Sequence, residues 1–164
     1  MTLYLDCEWT IDQEIFLIGF AFADGRSGSL QGQQLHRQTF LHLLQDIKYI
    51  LVYGPDIAYL EKYFDLELKS QFVCINVLKL FRQVLPGLPS YRLSYIEQLF
   101  SVGRKKRKYK TSVFTIWNDW ADPVKREHVI IYNKEDVVNL RKLFLLISRR
   151  FNLSDQEILT CRLV

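Results

Sequence analysis

The stretch "LYLDCEW", residues 3–9, begins as a buried strand and then sets two carboxylates, Asp6 and Glu8, on either side of Cys7. Side chains alternate along a strand, so Asp6 and Glu8 point to one side while Leu3, Leu5 and Cys7 point to the other. Like charges on neighbouring same-face positions repel. Covering them from water costs more still, unless a cation or hydrogen-bond donors compensate. A solvated strand end meets these conditions, and so does a cation site. The choice between them lies in the rest of the chain.

Working outward, "EIFLIGFAF" (14–22) has the composition of a second strand, and the turn formers of "ADGRSGS" (23–29) follow it. A third strand is expected near 34–40, giving three antiparallel neighbours. "FLHLLQDI" (40–47) reads as a short helix, and "YILVYG" (49–54) as a strand buried on both faces. After Pro55, "DIAYLEKYF" has helical spacing at Ile57, Leu60 and Phe64. "FVCINV" (72–77) is a further strand, followed by helices over "LKLFRQVL" (78–85), 90–100 and "FTIWNDWA" (114–121). A long helix is expected from Asp122 as N-cap and Pro123 at the first turn, with its apolar row at Val137, Leu140, Leu143, Phe144 and Ile147. The pattern implies an α/β fold with a mixed five-stranded sheet flanked by helices. Neither a repeat nor a linker interrupts it, so residues 1–164 are read as one domain.

With 164 residues, 49% of them apolar, the chain can build a sizeable core. No apolar run approaches a membrane span and no cleavable signal is visible, so a cytoplasmic protein is expected. Cys7, Cys74 and Cys161 fit neither a disulfide framework nor a zinc pattern, and His36, His42 and His128 share no ligand spacing. The net charge of +4 is uneven: Arg104, Lys105, Lys106, Arg107, Lys108 and Lys110 crowd one segment, and without those six the remainder carries −2. Such a segment is either a solvated loop or a patch that holds phosphates.

Two further acids join the first pair. Asp56 stands where a strand gives way to a helix, as an N-cap or as a ligand at the carboxyl end of a strand. Asp136 follows Tyr132 by four residues in "YNKEDVVNL", which puts phenol and carboxylate on one helical face, with Glu135 turned away. If the four acids converge, they suit a hard divalent cation, which prefers oxygen ligands. Paired cations can activate a water and stabilise the leaving oxygen of a phosphodiester.

In this order the residues resemble the DEDD superfamily of 3′→5′ exonucleases, which has a ribonuclease H-like fold. "LYLDCEW" is similar to its first motif, "LVYGPDIAYL" to its second, and "YNKEDVVNL" to the Tyr-x-x-x-Asp third motif of the DEDDy type. The stretch "LPSYRLSYIEQLFSVGRKKR" is closest to the YprB-like predicted exonucleases, and the resemblance runs from about Leu3 to Phe151. The second motif departs from the wider superfamily, because Tyr53-Gly54-Pro55 lead directly into Asp56; Glu61 is the remote substitute.

The resemblance implies two divalent cations, Mg²⁺ or Mn²⁺. Asp6 would bridge both, Glu8 and Asp136 would complete the first site, Asp56 would reach the second, and Tyr132 would position the attacking water. The implied substrate is single-stranded DNA or RNA with a free 3′ end. The basic residues 104–108 and 110 would hold its backbone. Trp9 offers a surface for a terminal base, against ordinary rim packing. The alternatives are an endonuclease on the same fold, a nucleic-acid-binding module without activity, and a plain α/β domain with solvated acids.

Overall fold

The computed structural model describes residues 1–104 and 112–164. Among these, β1 (Thr2–Trp9), β2 (Ile15–Phe22), β3 (Ser27–Gln31), β4 (Tyr49–Val52) and β5 (Val73–Asn76) form one sheet in the order β3-β2-β1-β4-β5. The first three strands pair antiparallel, while β1–β4 and β4–β5 are parallel. The helices are α1 (Arg37–Leu43), α2 (Asp56–Phe64), α3 (Leu68–Gln71), α4 (Val77–Val84), α5 (Leu93–Leu99), α6 (Val113–Ala121), α7 (Arg126–Arg150) and α8 (Asp155–Leu159). This is the mixed α/β sheet that the sequence pattern implies, in the ribonuclease H-like arrangement expected from the resemblance. No helix of the described residues is long and apolar enough to cross a membrane.

Helices cover both faces of the sheet. Leu3, Leu5 and Cys7 pack against Phe40 of α1 and Ile57, Leu60 and Phe64 of α2. Tyr4, Leu51 and Ile75 pack on the opposite side, against Phe81 of α4, Ile96 of α5 and the Val137–Leu140–Leu143 row of α7. A strand covered on both sides needs apolar residues in succession, which explains the run at 3–5. The strict alternation of β1 then delivers Asp6 and Glu8 to the face crossed by α7.

Three sequence expectations are corrected. The third strand is Ser27–Gln31, not 34–40, where helix α1 begins. The connecting turn is only Ala23–Arg26: Gly25 adopts φ +98, and Asp24 accepts the Arg26 N–H at 3.0 Å. As an edge strand, β3 buries only Leu30, so it lacks the apolar signature of its neighbours. The long helix starts at Arg126 rather than Asp122. Asp122 instead closes a turn, accepting Val124 N–H on its side chain and the Lys125 and Arg126 N–H groups on its carbonyl. The helix expected over 90–100 is α5, which begins only at Leu93.

Candidate metal centre

The parallel ladder between β1 and β4 ends at Leu5↔Val52. Beyond that point β1 continues beside β2 alone, while β4 leaves through Tyr53-Gly54-Pro55 into α2. The Cys7 N–H has therefore run out of β4 carbonyls, and Asp56 Oδ1 accepts it at 3.0 Å. Asp56 is the first residue of α2, with Pro55 in the N-cap position. It is 3% exposed and fixed at the carboxyl end of β4, where ligands collect on open α/β sheets.

Helix α7 brings the remaining groups. Asn133 Nδ2 donates to Asp6 Oδ2 at 2.7 Å and to the Asp6 carbonyl at 3.3 Å. This approach requires a bare strand at Gly19, which pairs opposite Asp6. A Cβ there would lie 2.2 Å from Asn133 Oδ1. One turn further along, Asp136 joins the pair from β1: oxygen atoms of Asp6, Glu8 and Asp136 all lie within 4.8 Å of one another. The Tyr132 phenol hydrogen-bonds the Asp136 carboxyl, which the spacing of four residues allows. A β-bulge between Glu8 and Trp9 ends the regular pairing just past the acids.

Burial and mutual repulsion dominate the electrostatics. Asp6 is pushed well above the carboxylate range, first by burial, then by the charges of Asp136, Asp56 and Glu8. Glu8 is raised by burial and by Asp136 and Asp56, with a hydrogen bond from Asn133 opposing. Burial raises Asp56 to about 6, held back by the Cys7 N–H. Burial raises Asp136 to about 7, against the opposing charge and hydrogen bond of Arg104. The Tyr132 phenol is raised by burial and then by Asp136 and Glu8, so it stays a protonated donor at neutral pH. Converging carboxylates that resist ionising together, with all-oxygen donors, are the chemistry that a hard divalent cation compensates. The residues present fit such an ion.

The other sequence candidates separate. Glu61 is excluded as a substitute for Asp56: it accepts the Lys69 N–H at 3.0 Å and pairs with its ammonium at 3.4 Å. Trp9 is half-buried, stacked on Tyr59 at 4.1 Å, and its carbonyl accepts Trp117 Nε1–H at 2.8 Å. Arg104 is not part of a solvated loop. It is 8% exposed, bonded to Glu97 and Asp136, and lies over the Tyr132 ring. Lys105, Lys106, Arg107, Lys108 and Lys110 lie outside the described residues. All three cysteines are buried free thiols. Asp6 and Asp136, with Tyr132, line a cleft of about 590 Å³ whose wall also carries Arg82 and Arg92.

Sequence reasoning passed over Gly19, Asn133, Glu97 and Asn139. Each leaves a trace. Gly19 interrupts an apolar strand, and Asn133 and Asn139 stand three residues either side of Asp136. Glu97 sits one turn from Leu93, inside an otherwise apolar helical row.

Comparison with known proteins bears on the fold. No curated protein matches the sequence. NrnC of Brucella melitensis superposes with a TM-score of 0.71 at 16% identity, covering 98% of this chain and 79% of that one. The same protein bound to pGG gives 0.68 at 17% identity, covering 92% and 73%. With bound Mg²⁺ it gives 0.65 at 14%, covering 98% and 79%. The family B DNA polymerase of Pyrobaculum calidifontis gives 0.69 at 15%, covering 90% of this chain but 25% of the polymerase. The RNase_H superfamily pattern matches residues 3–148, from the strand that carries Asp6 to the helix that carries Asp136. A match of that extent, on a sheet of this topology, establishes that the chain belongs to the RNase_H superfamily and has a nuclease fold.

Proposed function

We propose that the protein is a metal-dependent 3′→5′ exonuclease of the DEDDy type, closest to the YprB-like group, acting on single-stranded nucleic acid. The observation that carries this reading is the convergence of Asp6, Glu8 and Asp136 within 4.8 Å, with Tyr132 bonded to Asp136. Asp6, Glu8 and Asp136 would hold a divalent cation, Mg²⁺ or Mn²⁺, with Asp6 shared with a second cation that Asp56 would help to hold. Bound there, the cations supply Lewis acidity at the attacking water and at the leaving oxygen. The four acids together carry the negative charge that two divalent ions offset. NrnC, of the same fold, has been seen with Mg²⁺ and with pGG, which favours both the metal and the nucleic-acid assignment.

The chain's own groups supply the rest. Tyr132, a protonated donor, orients the water rather than removing its proton. Asn133 holds Asp6 in place from α7. Trp9, braced by Tyr59 and Trp117, packs on the terminal base. Arg82 and Arg92 in the cleft, with the basic segment 105–110, draw the phosphodiester backbone towards an otherwise repulsive site. The products are nucleoside monophosphates.

The test is digestion of 5′-labelled single-stranded DNA and RNA with Mg²⁺ or Mn²⁺. We expect a ladder from a free 3′ end, no reaction at a blocked end or on a circle, and loss of the ladder in Asp136→Ala. Equal cutting of blocked or circular strands would make the protein an endonuclease. Binding without cutting, unchanged by Asp6→Ala, would make it a binding module. Tyr132→Phe is expected to lower kcat by about 10²-fold, the lower end of what a positioned proton donor contributes. Its Mn²⁺ affinity, measured by electron paramagnetic resonance, falls by less than kcat does, because the phenol orients water and is not itself a ligand.

A further inference from the structure

Behind the acid cluster lies a second charged group. Glu97 of α5 is 1% exposed, and Arg104 is 8% exposed. Arg104 grips Glu97 through both arms of its fork: Nε donates to Oε2 at 2.8 Å, and Nη2 donates to Oε1. The same Nη2 also donates to Asp136 Oδ1. The guanidinium lies 4.9 Å from the centre of the Tyr132 ring. It therefore touches both α7 residues assigned to the chemistry.

The surrounding chain is built to deliver this contact. Ser101 takes a left-handed conformation, φ +57, at the end of α5 and turns the chain back on itself. Val102 N–H then bonds the Glu97 carbonyl at 2.8 Å. Asn139 of α7, one turn past Asp136, ties both ends of the return: its amide donates to Glu97 Oε1 at 3.1 Å and to the Gly103 carbonyl at 3.2 Å. Buried ion pairs rarely add stability over apolar residues of similar volume, so stability alone gives no reason for this one. Its contacts give another: a rigid, planar fork holds one oxygen of Asp136 and covers Tyr132.

We propose that Glu97 and Arg104 are a positioning pair for the nuclease centre: Glu97 fixes the guanidinium, and the guanidinium fixes Asp136 and Tyr132 against Asp6 and Glu8. The inference rests on the reading of Asp136 as a cation ligand. It separates Arg104 from the lysines that follow it in sequence, because its role is to hold a ligand and not to attract a backbone.

Glu97→Gln, Arg104→Ala and the double variant test it, with two readouts. Each single variant is expected to weaken Mn²⁺ binding by about tenfold and to lower kcat by about 10- to 100-fold, as for other groups that orient metal ligands. The KM for a single-stranded oligonucleotide, and its salt dependence, stay near wild type. The double variant is no worse than either single one, because the two residues act as a unit. Arg104→Lys rescues little, lacking the fork. If Arg104→Ala does not fold, the apolar double replacement Glu97→Met/Arg104→Met takes its place.

A loss confined to KM and steepened by salt would make Arg104 an ordinary phosphate contact and overturn the proposal. So would tighter Mn²⁺ binding in Arg104→Ala, or additive losses in the double variant. Wild-type protein that neither binds Mn²⁺ nor cuts would remove the nuclease reading itself. Wild type active, Asp136→Asn dead and Glu97→Gln unaffected would remove the positioning pair alone.

Discussion

Asp6→Asn is expected to cut kcat/KM for a 3′-ended oligonucleotide by at least about 10³-fold while raising the melting temperature of the metal-free protein. The first effect follows from position. Asp6 lies within reach of both Glu8 and Asp136, and its repulsion extends to Asp56. On the proposed reading Asp6 is a ligand, and its loss would disturb every cation the cluster holds. Losing about 4 kcal/mol of transition-state stabilisation, an ordinary share for a metal centre, is three powers of ten in rate.

The second effect follows from the same crowding. Asn fills the same volume and can still bond Asn133, yet it removes one charge from a crowded group of four acids, of which Asp56 and Asp136 are buried. A catalytic residue that destabilises its own fold is the signature of a site built for a ligand. Steady-state kinetics with Mg²⁺ and thermal unfolding in chelator measure the two halves. Retained activity would discard Asp6 as a ligand. A lowered melting temperature would discard the repulsion.

The metal-free protein should lose stability as pH rises from about 5 to about 8, and Mg²⁺ should remove most of that loss. Asp56 and Asp136 titrate near 6 and 7 in the folded chain, against about 4 when unfolded. Between those values the folded state binds more protons than the unfolded state, so raising the pH pulls the equilibrium towards unfolding. The contribution is fully present below about pH 4, falls through the window, and stays lost above it.

Asp24, Asp122 and Glu157 are lowered by hydrogen bonds to their neighbours, so their contribution falls away only in acid, outside this window. A cation that binds only the folded state restores stability by mass action. Melting curves from pH 5 to 8 in chelator and in Mg²⁺ should start together and diverge above pH 6. A chelator curve that is flat, or that rises with pH, would exclude the raised acids.

The motifs were legible because their chemistry is local. Alternation on one strand places Asp6 beside Glu8, and a helical turn places Tyr132 beside Asp136, without reference to anything distant. What sequence could not show was the partner of each group. The six-charge basic run gives no sign that its first arginine folds inward, because that depends on the Ser101 turn and on a glutamate seven residues earlier. Strand β3 escaped because an edge strand with one buried residue carries no hydrophobic pattern. The start of α7 was misplaced because an aspartate before proline suits a turn as well as a helix cap. The place of Asp56 at a strand end is legible and its anchor is not: nothing in "LVYGPD" says that the ladder stops two residues short of Cys7.

That stop gives residue 7 a divided allegiance. Its side chain belongs to the core under α1 and α2, on the far side of the sheet from the acids. Its amide belongs to Asp56. The centre thus draws on position 7 through main chain alone, and any small apolar residue can stand between Asp6 and Glu8. The connection from Val52 to Asp56 has no such freedom. One residue more or fewer there would carry the carboxylate off its amide, so tolerance to change at this edge is wide in identity and narrow in length.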